Sequence, residues 1–179
     1  ALTARCGLDD PEGLFRVLLE ANAWNTAAFD VSWMAKKDVK PDNSVNWLDN
    51  THGITFSEAV LALCRRYPDL WAEGLLQMAC FVGRNAAYTR PNVPGDMPAE
   101  MSEDWYPSLL ESMIDHGQDA FIVAAHVIKT PTAAEALRRQ GFGSPILAHG
   151  VNRFLAGPLD LRQVRRTAKQ ALAFVALDS

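Results

Sequence analysis

Apolar residues recur at helical spacing in one segment after another. Nowhere do they alternate with polar ones as a half-buried strand requires. Leu14, Val17, Leu18 and Ala21 fall on one stripe, and Asp10–Pro11 ahead of them supplies a cap and a first-turn proline. A helix broken at most once is therefore expected over 11–35, with Trp24, Phe29 and Trp33 continuing its apolar content. Lys36 to Asn50 is polar, contains Pro41, Asp42, Asn43 and Ser44, and reads as loop. Thr55 and Glu58 have capping-box spacing, so Thr55 is the expected N-cap of a helix with Ala59, Val60, Leu63 and Cys64 on its stripe. His52–Gly53 then stands just before that helix. Pro68 opens the next, apolar round much of its circumference and expected to be central, with Arg84 and Asn85 capping its end.

Residues 90–107 carry Pro91, Pro94, Pro98 and Pro107, an irregular excursion of the kind that serves as a lid. Leu109, Leu110, Met113 and Ile114 predict a short helix running to His116–Gly117. The apolar run from Phe121 carries His126 and Lys129. Thr130–Pro131 is expected to stop it and start another helix, Ala133 to Arg139, closed by Gly141. Ser144–Pro145 starts a helix with His149, ended by Gly157–Pro158. Asp160 with Gln163 caps a last helix to about Leu177, with Arg162, Arg165, Arg166 and Lys169 on its wet side. The expected fold is all-α: a single globular domain over 1–179, with roughly seven or eight helices around a central metal site.

A chain of 179 residues and 19.7 kDa fits one domain with a sizeable core. The net charge of -4 gives no reason to expect nucleic acid or an anionic membrane surface. No apolar run is long enough to span a bilayer, and no signal sequence is visible. Cys6, Cys64 and Cys80 are odd in number and form no CxxC pair, which points to a reducing compartment and a cytoplasmic location. Cys64 and Cys80 read as small core residues. The chain opens on Ala1 rather than Met, which leaves an upstream segment open.

All four histidines, His52, His116, His126 and His149, lie in or beside apolar helical contexts, and three are followed by Gly. Imidazole is the commonest metal donor and suits zinc, copper, iron or nickel. The familiar HExxH, di-iron ExxH and Cys-rich zinc patterns are absent. His126 and Lys129, three apart, share one helical face. In one unbroken helix His116 and His126 would stand ~15 Å apart, so a shared ion needs a turn at Gly117. Lys129 ligates only as a neutral amine or as a carbamate formed with carbon dioxide. Asp115 or Asp119 would orient a histidine from behind. Each residue also has a plainer role. The histidines cap or pack, Lys129 meets a helix C-terminus, the five tryptophans fill the core, and Asp115 and Asp119 flank a helix start.

The stretches NTHGITFSEAV, LLQMACFVGRN and AAHVIKT resemble the questin-oxidase-like family of helical oxygenases, over roughly the central hundred residues. That resemblance implies a non-heme Fe(II) held by four histidines and a carboxylated lysine, with dioxygen as co-substrate and an anthraquinone-like aromatic small molecule as substrate. Carried onto this chain, the ligands are His52, His116, His126 and His149, with Lys129 as the modified lysine. Family members are usually much longer, so a reduced pocket or a different substrate is expected. Three functions follow: an iron oxygenase cleaving C–C bonds or inserting oxygen; a metal-dependent hydrolase, zinc being its natural ion, in which a carbamylated lysine is equally at home; and a non-enzymatic helical binding or assembly module. A homo-oligomer is compatible with all three.

Overall fold

The computed structural model describes residues 9–35, 45–98, 100–118, 120–157 and 159. Among the described residues six α-helices carry the fold: α1 Pro11–Ala28, α2 Trp47–Arg66, α3 Trp71–Ala86, α4 Trp105–Ile114, α5 Phe121–Leu137 and α6 Pro145–Ala156. Short 3-10 turns at Val31–Ala35 and Pro68–Leu70 and a π-turn at Arg138–Phe142 join them. Among the described residues there is no strand, only an isolated bridge between Phe29 and Thr89. The all-α expectation holds, with fewer helices for two reasons. The two expected on either side of Pro131 are one, and the helix expected from Asp160 to Leu177 lies outside the described residues.

α1 is the hub, packed against α6, α3 and α2. Asp10 caps it, its Oδ1 accepting the Gly13 N–H at 2.8 Å. The wide Phe15 and Leu19 fill the first half of its buried side, while Ala23, Thr26 and Ala27 let α6 approach the second half closely. A Cβ on Gly150 of α6 would stand 2.9 Å from the Ala23 carbonyl oxygen. The helix stops at Ala28, earlier than the apolar content suggests. Phe29 turns extended, and Arg153 donates to the carbonyls of Ala27 and Phe29, which the helix end leaves without partners.

α2 begins eight residues before the expected Thr55 cap. Asn46 accepts the Leu48 N–H at 2.7 Å and Asp49 reaches back to the Asn46 N–H at 2.9 Å. This reciprocal pair outcompetes the turn character of DNTHG. Thr55 sits inside the helix, bonded back to the Thr51 carbonyl at 3.3 Å. Gly53 is required where α2 crosses α1: a Cβ there would lie 2.5 Å from Asn22 Oδ1. α3 is peripheral rather than central. Trp71, Leu75, Met78 and Asn85 are its buried residues, and Leu76 and Cys80 face solvent. α5 runs through Pro131. The proline costs about 3 kcal/mol, against which the helix buries Val123, Val127, Ala134 and Leu137 on either side. Gly141 closes the π-turn at φ +87°, a left-handed conformation natural to glycine.

Two apolar clusters result. The larger joins all six described helices around Phe15, Ile54, Leu61, Met78, Trp105, Leu137 and Leu147. The smaller centres on Trp47, with Phe29 and Phe154 edge-on to it. Of the five tryptophans expected in the core, Trp47, Trp71 and Trp105 are buried in these clusters, Trp33 packs at the edge of the smaller one, and Trp24 is exposed. Between α1, α2 and α3 runs a buried polar seam. Asn22 and Asn25 donate to the carbonyls of Met78 and Val82 at 3.3 and 3.0 Å, and Thr26 to that of Asn50 at 3.3 Å. No described helix is long and apolar enough to cross a membrane.

Candidate metal centre

α2 and α5 pack side by side, and their contact brings two of the four histidines together. His52, from the second turn of α2, and His126, from the second turn of α5, meet with Nε2 to Nε2 at 3.0 Å and ring planes inclined at 65°. The early start of α2 makes this possible. His52 stands on a rigid helix, not on the preceding loop.

His126 is almost wholly buried, at 2% exposure. Its Nδ1–H donates to the Ile122 carbonyl at 2.6 Å, one turn back along α5. That bond fixes the tautomer and leaves the His126 Nε2 lone pair aimed at His52. The metal-free pair then shares one proton, His52 Nε2–H donating to His126 Nε2. Burial, followed by the nearby Lys129 cation and His52, outweighs the Ile122 bond and pushes the His126 pKa down to about 4. His52 is lowered in the same direction, by burial first and then by Lys129, with Asp49 opposing and Arg84 adding to the effect. Both rings are therefore neutral at pH 7, the state in which imidazole binds a metal.

Lys129 lies one turn beyond His126 on the exposed flank of α5. Burial of its stem and amine lowers its own pKa. The expected five-residue set thus divides. His52, His126 and Lys129 share one corner of the α2–α5 contact. His149 has a different role. It is buried on α6 and its Nε2–H donates to the Pro94 carbonyl at 3.0 Å, holding the Pro-rich loop. His116 lies on the bend after α4, where its Nδ1 accepts the Gln118 N–H at 2.9 Å. Asp115 is the exposed C-cap of α4, and Asp119 lies outside the described residues. Among the described residues no three histidine, cysteine, aspartate or glutamate side chains gather closely enough to hold a metal ion.

The histidine pair supplies two donors at the spacing of metal ligands, although in this arrangement the His126 Nε2 lone pair meets the His52 N–H. Donors 3.0 Å apart match adjacent positions around one metal with bonds of about 2.0–2.1 Å. A carbonyl on the far ring nitrogen is the usual support of such a ligand.

Of two supports of the pair, only Arg84 escapes a reading of the sequence. The Ile122 carbonyl was within reach of one, as the residue four before His126. Arg84, expected as a cap, instead spans two helices, binding Asp49 Oδ1 and Asn85 Oδ1, each at 3.0 Å, while Asn85 donates to the Asp49 carbonyl. This ties the end of α3 to the first turn of α2, directly below His52. The loop of 90–104 is likewise fastened, by His149 and by the Trp105 indole donating to Asn152 Oδ1 at 3.1 Å. No family model, curated protein or solved structure matches the chain.

Proposed function

We propose that the protein is a metal-dependent oxygenase of a small aromatic or quinone-like molecule, with His52 and His126 as metal donors and Lys129 as the adjoining anionic ligand once carbamylated. The observation that carries the metal reading is the Nε2 pair at 3.0 Å with the His126 tautomer locked by the Ile122 carbonyl. The oxygenase reading rests on the likeness of NTHGITFSEAV, LLQMACFVGRN and AAHVIKT to the questin-oxidase-like family. When bound, a ferrous ion supplies the redox chemistry that dioxygen activation needs.

The chain's own part is to present neutral donors and to balance charge. An unmodified Lys129 ammonium repels a cation. With its pKa lowered by burial it yields its proton to solvent more readily. The free amine then adds to carbon dioxide, forming an N–C bond and releasing the second amine proton. One negative charge replaces one positive charge beside the histidines.

His126→Ala tests this reading. Metal content and quinone-dependent oxygen uptake are expected to fall together. Full metal content with wild-type turnover in that variant would contradict the proposal. Zinc in the purified protein, with a bound-water hydrolytic activity and no oxygen uptake, would move the site to the hydrolase reading.

A further inference from the structure

The outward face of α5 is apolar and is covered by no described residue. Phe121 is 92% exposed, and Ile122 and Ile128 are about half exposed on the same side. Across the bend that precedes α5, Ile114 is 80% and Leu110 40% exposed on α4. Single exposed apolar residues need no explanation, but a group of them on two packed helices marks a surface that something covers. Apart from Lys129 on its flank, the charge around it is negative. Between Arg90 and Lys129 the chain has seven carboxylates and no lysine or arginine, with Glu111 and Asp115 exposed on and beside α4.

One stretch of this chain has the complementary chemistry. Residues 160–179 carry Arg162, Arg165, Arg166 and Lys169 against two carboxylates. At helical spacing Leu161, Val164, Ala168, Leu172 and Val175 fall on one side and the four cations on another. The stretch also begins within reach: Leu159 packs on the Trp47 cluster, to which Val123 and Val127 from the N-terminal half of α5 also belong. Twenty residues at helical rise span about 30 Å, and α5 about 25 Å. We propose that the outward α4–α5 face is the docking surface for residues 160–179 of the same chain, apolar stripe inward and cations over the acidic rim.

Limited trypsin digestion of the full chain, followed by mass spectrometry at Arg162, Arg165, Arg166 and Lys169, tests this. Phe121→Asp and, separately, Ile114→Asp place a charge on the face without touching the core, and an unchanged melting temperature verifies that. Cleavage at the four sites is expected to be about tenfold or more slower in the wild type than in either variant. Equal rates in all three proteins would overturn the proposal. So would protection that fades on dilution as the mass falls from dimer to monomer, which would assign the face to a second copy.

Discussion

His126 is the residue on which the site turns, and its burial has a pH signature. Its pKa is about 4 in the folded protein and about 6.5 once unfolded. The unfolded chain therefore binds one more proton between these values. The stability this group contributes is complete above about pH 6.5 and is lost as the pH falls through 4, on the order of 3 kcal/mol in all. In metal-free protein, the denaturation midpoint of the wild type is expected to fall more steeply from pH 6.5 to 4 than that of His126→Gln. Identical profiles would show that the ring is not held neutral by its surroundings. His149 supplies the opposite case. Its Nε2 is already bonded to the Pro94 carbonyl, so His149→Ala is expected to lose about 1–3 kcal/mol of stability and to keep its metal. The His126–Lys129 neighbourhood was legible because helical spacing is local. That His149 serves a loop was not, because its partner lies 55 residues away.

At the level of elements, the packing around the hub helix depends on how closely α1 and α6 approach. The Ala23 carbonyl leaves no room for a side chain at Gly150. Gly150→Ala must push α6 away from α1, since a backbone oxygen cannot rotate aside. A loss of about 2 kcal/mol is expected, seen as a melting temperature lower by roughly 4–8 °C. An unchanged melting temperature would mean that the two helices leave room for a methyl group. The start of α1 and both bounds of α6 are legible in the sequence because each is marked by proline, glycine or a capping residue, whereas α4 starts at Trp105, inside the expected Pro-rich loop and without a capping side chain. Bounds are not legible where two signals compete. At Asn46–Asp49 a capping box was hidden in a turn-like run. At Pro131 flanking burial overrode the break. For α3, apolar content masked a one-sided stripe. The asparagine seam was illegible for a further reason: Asn22 and Asn25 look like surface residues until Met78 and Val82 present their carbonyls.

For the whole molecule, the all-α architecture follows from periodicity alone, whereas the site is a product of packing. Helices α2 and α5 come together so that His52 and His126 meet across 74 residues of chain, a pairing that no spacing rule anticipates. The same packing leaves the acidic, apolar α4–α5 flank beside Lys129 uncovered by any described residue, so the site and the proposed docking surface adjoin. The proposed metal centre is tested most simply by elemental mass spectrometry on the full chain, purified without chelator or histidine tag, wild type beside His52→Ala and His126→Ala. One transition-metal ion per wild-type chain is expected, iron for an oxygenase, and its loss from both variants. A well-folded wild type without metal, or variants that retain a full complement, would remove His52 and His126 as ligands.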